Sequence, residues 1–172
     1  AKGAINRKDF NCWGQLPEVN GPEFGDYMKE CRKFGKAIWE ITGKKDVDIV
    51  FEHPGESTMP VSVFVVKRGG MVVICAGTTG FNLTMDARFL WMRQKRVQGS
   101  HFAHLKQASA ANQLVIDRRI DPCMSEVLPW TEILQAHEKM LDNQHLPGNM
   151  AVLVTSPKPG LRTVEDVLEV GP

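Results

Sequence analysis

The feature that most narrows the fold is a repeated rhythm: three short apolar runs, each closed by glycine or by a proline-glycine pair, alternate with stretches of helical spacing. The runs are DVDIVFEHPG at residues 46–55, MVVICAGTTG at 71–80 and RVQGSHFA at 96–103. The first reads as a strand stopped by Pro54 and Gly55. The second, introduced by Gly69 and Gly70, is continuously apolar over residues 71–76, the pattern of a strand buried on both faces. The third supplies another strand and its exit. Between them, residues 60–67 predict a short helix with Pro60 in its first turn, although the valines there also permit a strand. Asp86 caps or begins the helical pattern ARFLWMRQKR. Upstream, EFGDYMKECRKFGKAIWEITG places Tyr27, Cys31, Phe34, Ile38 and Ile41 near helical spacing, with Gly43 as terminator and Gly25 and Gly35 as local costs. Strands alternating with helices predict an α/β sheet with crossovers.

Outside this block the punctuation is looser. The opening AKGAINRKDFNCWGQLP reads as a strand end at Ala4 and Ile5 followed by a loop. Residues 106–119 permit a helix with Leu114, Val115 and Ile116 partly buried. The character changes after Asp121-Pro122: CMSEVLPW is an extended candidate, TEILQAHEKMLDNQ a helix and residues 149–155 a strand. The final PKPGLRTVEDVLEVGP reads as a turn plus a short helix or surface arm. Neither an internal repeat nor a low-complexity tract is evident.

Charge and cysteine usage restrict the function classes. Twenty-one Lys or Arg against twenty Asp or Glu give a net charge of +1, without the field of a general nucleic-acid binder, so no nucleic-acid partner is expected. No apolar segment approaches the roughly 20 residues needed to span a bilayer, and no charged leader precedes an apolar core, so no membrane partner and a cytoplasmic location are expected. Cys12, Cys31, Cys75 and Cys123 are scattered without a CxxC pair. They predict buried free thiols rather than a zinc cluster or a disulfide framework.

Open parallel sheets bind ligands at the carboxyl ends of their strands. HPGES, AGTTGF and GSHFA, at residues 53–57, 76–81 and 99–103, would then share one rim. Gly77 and Gly80 permit close approach of a ligand, and Thr78 and Thr79 offer hydrogen bonds, yet AGTTG equally suits a structural turn. It matches neither GxGxxG nor the P-loop. His53 either directs a ring nitrogen at a bound group or is a strand-end histidine satisfied by backbone or water. Glu52 and Glu56 suit acid–base work or the orientation of a neighbour. Arg88, Arg93, Lys95 and Arg96, interspersed with Phe89, Trp91 and Met92, suit a phosphorylated cofactor or a solvated helix face. His101 and His104 lack a third ligand, so no metal site is expected. In a cavity His101 can hydrogen-bond a carboxylate or hold a polarising water, with His104 supporting the following loop.

Taken in order, AINRKDFNCWGQLP, FGKAIWEITG, DIVFEHPGE, GGMVVICAGTTGFN, WMRQKR, QGSHFAHLKQASAANQ, DPCMSEVLPW and NQHLPGNMAVLV resemble the carboxyl-terminal portion of the crotonyl-CoA carboxylase/reductases, a branch of the medium-chain dehydrogenase/reductase superfamily. The resemblance implies an incomplete Rossmann-like nucleotide-binding domain, with residues 1–118 its latter part, and a returning segment of the catalytic domain over residues 119–172. It implies NADPH as cofactor, and crotonyl-CoA and carbon dioxide as substrates of a reductive carboxylation yielding ethylmalonyl-CoA, without a metal, biotin or ATP. His101 matches the histidine that helps position carbon dioxide. His53 and Pro54, the run Cys75, Ala76, Gly77, Thr78, Thr79 and Gly80, and then Gly99 and Ser100 border the cofactor. His104 inherits no catalytic role. The family's phosphate loop and much of its substrate enclosure lie upstream of the matching part. The isolated chain is therefore expected to be inactive, with partners in the upstream part of the same enzyme and in homo-oligomeric copies. The alternatives are a simple enoyl-thioester reductase that protonates the same enolate, and a non-catalytic assembly or regulatory fragment.

Overall fold

The computed structural model describes residues 2–154, which divide into two compact units between Phe102 and Ala103. The first opens with a 3-10 turn, Arg7–Asp9, capped by the Asn6 side chain on the Lys8 amide. Ala4 and Ile5 form no strand, contrary to the sequence reading; Ile5 instead packs against the core built on the first helix. That helix, α1 (Phe24–Thr42), ends at Gly43 in the left-handed region, φ 71°. Its face carrying Tyr27, Met28 and Cys31 is buried with Phe10 and Cys12 of the N-terminal segment and with Val61. Phe34 adds edge-on contacts to Phe10 and Trp13, at 5.2 and 5.1 Å between ring centres.

The three apolar runs become β1 (Val47–Glu52), β2 (Val66–Ile74) and β3 (Arg96–Gly99), a parallel sheet in the order β1-β2-β3. Parallel strands need crossovers, and α2 (Met59–Val65) and α3 (Ala87–Trp91) lie in them. α2 has two working faces: Met59 and Val63 pack with Val66 and Val72, whereas Val61 joins the α1 core. This doubly buried position is why a seven-residue segment rich in valine holds a helix.

Three boundaries differ from those the sequence predicts. α2 stops at Val65, short of the expected residue 67, because Val66 already pairs with Val47. The ladder resumes at Ile49 with Met71, so Gly69 and Gly70 lie in an irregularity inside β2 rather than in front of it. A Cβ on Gly70 would stand 2.8 Å from the Asp48 carbonyl, which is why that position is glycine. α3 covers five residues rather than ten, and Gln94, at φ 52°, turns the chain into β3. β2 is also less enclosed than its apolar run suggested. Val72 is fully buried, but Met71, Val73 and Ile74 are half-buried.

The second unit contains α4 (Leu105–Ile116), β4 (Met124–Pro129), a 3-10 turn (Trp130–Glu132), α5 (Ile133–Leu141) and β5 (Asn149–Leu153). β4 and β5 pair in parallel, from Met124 with Asn149 to Pro129 with Leu153. Leu114 and Val115 are half-buried as expected, whereas Ile116 is exposed. The expected arm over residues 157–172 lies outside the described residues. No helix among the described residues is long and apolar enough to cross a membrane.

All four cysteines are free, but the expected burial holds for Cys12 and Cys31 only, since Cys75, just past the end of β2, is half-buried and Cys123, just before β4, is exposed. Contact with Cys31 and burial hold the Cys12 thiol well above its ordinary value, so it stays protonated. β1, at the sheet edge, leaves Ile49 and Phe51 exposed, at 62% and 68%. Core and edge should therefore respond differently in urea unfolding of this chain followed by tryptophan fluorescence. Val72→Ala is expected to lose about 2 kcal/mol, and Ile49→Ala less than about 0.5 kcal/mol.

Candidate functional site at the carboxyl rim of the sheet

The strand register brings the three sequence-nominated loops to one rim. Glu52 stands opposite Ile74, and Ile74 opposite Gly99. The ladder extends one residue further, since the Cys75 amide donates to the Glu52 carbonyl at 3.1 Å and the Ser100 amide to the Ile74 carbonyl at 2.8 Å. His53, Cys75 and Ser100 are thereby the first residues beyond three level strand ends.

The first two loops are fastened to each other. The Thr79 amide donates to the Pro54 carbonyl at 2.9 Å, with the Thr79 hydroxyl 2.8 Å from the same oxygen and accepting from the Ser57 amide at 3.0 Å. The Thr78 hydroxyl lies 3.2 Å from His53 Nδ1. Gly55, at φ 86°, passes so close that a Cβ would fall 2.9 Å from Gly77 Cα. A Cβ on Gly77 would meet the Phe81 ring and the Gly80 carbonyl, and one on Gly80 would strike the Glu56 carboxylate. Gly55 and Gly80 thus serve loop-to-loop packing, and Gly77 the tight closure of its own loop. Gly99 differs: a Cβ there would meet nothing within 4 Å, so its rim face is open.

Both nominated carboxylates orient neighbours. Glu56 accepts from Gln15 Nε2 at 2.5 Å and from the Asn82 amide at 3.3 Å, tying the N-terminal segment to the glycine loop. Glu52 is buried and accepts from the Gly55 amide at 2.9 Å, the Thr58 hydroxyl at 2.5 Å and the Ser62 hydroxyl. Three donors offset the desolvation that burial imposes on a carboxylate. Thr58 and Ser62 carry no signal in the sequence, because a hydroxyl just before a short helix and another within it form no pattern until a partner is placed beneath them.

The basic residues divide. Arg88 pairs with Asp86 at 2.7 Å, and Asp86 also caps α3 through the Arg88 amide. Lys95 donates to the Val63 and Phe64 carbonyls at 2.7 and 2.9 Å, closing the last turn of α2. Burial, with Arg93 nearby, draws Lys95 down to about 8. Lys95 and Arg96 lie at the opposite end of β3 from Gly99 and Ser100. Arg32, Lys36, Trp39, Arg68 and Arg93 line a cleft of about 370 Å³ that also takes in Val66, at the start of β2. That cleft is hidden in the sequence, since its cations come from three separate segments: α1, β2 and the turn before β3.

His101 is exposed in the first unit, its ring centre 3.9 Å from that of Phe102. His104, in the second unit, caps α4. Its Nδ1 accepts from the Gln107 amide at 3.3 Å while Gln107 Oε1 accepts from the His104 amide at 3.2 Å.

A family profile described as zinc-binding dehydrogenase matches residues 21–117, more than half of the chain and all three strands of the rim. The chain belongs to this family. Within it, the chain is 73% identical over 99% of its length to the crotonyl-CoA carboxylase/reductase of Cereibacter sphaeroides, of which it covers 40%. A solved crotonyl-CoA carboxylase/reductase matches with a TM-score of 0.87 and 75% identity over 100% of this chain and 40% of its own. Another, solved in complex with NADP, gives a TM-score of 0.84 at 46% identity, over 92% of this chain and 40% of that one. This zinc-binding dehydrogenase family member is thus a homologue of crotonyl-CoA carboxylase/reductases, and it spans about two fifths of the length of the relatives it matches. The parallel sheet and its crossovers are the incomplete Rossmann-like arrangement expected from the sequence. The family description names zinc, but among the described residues no group of three or more His, Cys, Asp or Glu side chains could hold a metal ion. The residues present do not fit a zinc centre.

The Asp86–Arg88 pair sets a pH expectation for the glycine-loop exit. The Arg88 hydrogen bond holds the Asp86 carboxyl below its ordinary value. The stability it contributes is present above the unfolded carboxylate pKa of about 3.9 and is lost as pH falls through the lower folded value. Asp86→Asn, which keeps an N-cap acceptor but removes the charge facing Arg88, should lose about 1 kcal/mol at pH 7 and flatten the acid limb of a urea-midpoint titration.

Proposed function

We propose that this chain is the latter part of an NADPH-dependent enzyme that reductively carboxylates crotonyl-CoA to ethylmalonyl-CoA, with residues 1–118 in the nucleotide-binding domain and residues 119–172 returning to the catalytic domain. The observation that carries this reading is the 73% identity over 99% of the chain to a crotonyl-CoA carboxylase/reductase. The level rim supports it, because strand ends in register with small residues suit the close approach of a flat cofactor.

The reduced nicotinamide would supply hydride to the β carbon of the unsaturated thioester. The chain's own residues hold the setting. His53 and Pro54, together with Cys75, Ala76, Gly77, Thr78, Thr79 and Gly80, form the fastened border on one side. Gly99 offers the open face, and Ser100, held on the ladder, delivers the chain to His101. The exposed imidazole of His101, helped by a water, holds carbon dioxide where the α carbon can attack it in place of a proton. Carboxylation then wins over protonation by positioning, with no change in the hydride step.

Completion requires more protein. The open edge of β1, with Ile49 and Phe51 exposed beside it, fits a further strand from the upstream part of the same enzyme, and homo-oligomeric copies complete the assembly. The isolated chain is then inactive.

In the full-length enzyme, His101→Asn should lower the ratio of ethylmalonyl-CoA to butyryl-CoA about tenfold while NADPH oxidation falls much less. Both products are read from one reaction by mass spectrometry. An unchanged ratio would remove His101 from carbon dioxide placement.

A further inference from the structure

We propose that Glu52 is a positioning residue for the nicotinamide cofactor, acting by holding both cofactor-facing loops on a single buried carboxylate and its own main chain. The inference rests on the reading of the rim as the cofactor border. Glu52 is 2% exposed at the last position of β1. Its side chain gathers the Gly55 amide, the Thr58 hydroxyl and the Ser62 hydroxyl, from the loop, the position preceding α2 and α2 itself. Its backbone carbonyl holds the Cys75 amide at 3.1 Å and lies 3.7 Å from Cys75 Sγ. A residue that served only to cap α2 would engage α2 alone. Glu52 fixes His53 and Pro54 on one side and the start of the 75–80 loop on the other, and the Thr78–His53 and Thr79–Pro54 contacts depend on that spacing.

The charge matters as well as the shape. Both hydroxyls and the amide donate toward the same carboxylate, and charge-assisted hydrogen bonds are roughly twice as strong as neutral ones. Glu52→Gln keeps the volume but weakens the three bonds together. Thr58→Val removes one donor at nearly constant volume, and Thr58→Ser keeps it.

The test uses the full-length enzyme, with NADPH affinity from cofactor fluorescence, the KM for crotonyl-CoA, and hydrogen exchange over residues 53–58 and 75–80. Glu52→Gln and Thr58→Val should weaken NADPH binding about five- to tenfold and speed exchange in both loops, with the crotonyl-CoA KM within about twofold of wild type. Thr58→Ser should restore both readouts. NADPH affinity unchanged in both weakened variants overturns the inference, as does an equal loss for both substrates, which marks a global packing defect. If Glu52→Gln does not fold, the Thr58 pair decides alone. A wild-type enzyme that does not bind NADPH overturns the cofactor reading, and the assignment of Glu52 with it; that failure is distinguished because it appears before any substitution is made.

Discussion

A buried carboxylate with three donors at the end of an edge strand is the interaction on which the rim depends. Glu52 converts the carboxyl end of β1 from a frayed terminus into a fixed point, since removing any donor would leave buried charge poorly paired. The next strand is registered against the same residue, and β3 against β2. Three loops of different length and composition therefore leave the sheet at one level. Two of the loop glycines are consequences of that closeness: Gly55 and Gly80 are small because the loops touch.

The same geometry separates support from exposure. Val72, Met59 and Val63 form a small, fully buried core beneath the rim, while Ile49 and Phe51 remain exposed at the edge of the sheet. A soluble edge strand is ordinarily blunted by charge, proline or a covering element. Ile49 and Phe51, two residues apart and so on one face of β1, leave an apolar surface beside the open edge that is better suited to burial than to water. Site and edge belong to one design, because the strand that carries Glu52 is also the one that would receive the neighbour.

Much of this was legible in the sequence. The rhythm of apolar runs and glycine or proline stops predicts the strands and their shared rim, and helical spacing predicts α1 with Gly43 at its end. Boundaries were less legible where tertiary pairing overrides local preference. Val66 is as good a helix residue as Val65, and only its pairing with Val47 draws it into the sheet. Ala4 and Ile5 look like a strand end, yet no strand among the described residues pairs with them. The roles of the polar residues were hidden for a related reason. Glu52 has the same identity whether solvated or buried, and the arrangement of donors around it is a property of three dimensions. His104 was legible as support, and the capping box with Gln107 supplies the mechanism.

On the proposed function, the rim serves a reductive carboxylase rather than a simple reductase. The most direct measurement supplies the full-length wild-type enzyme with crotonyl-CoA, NADPH and labelled bicarbonate, and compares label fixed with NADPH consumed. The account predicts close to one labelled carbon per NADPH oxidised, all of it in ethylmalonyl-CoA. NADPH oxidised with butyryl-CoA as the product and no label incorporated would contradict it.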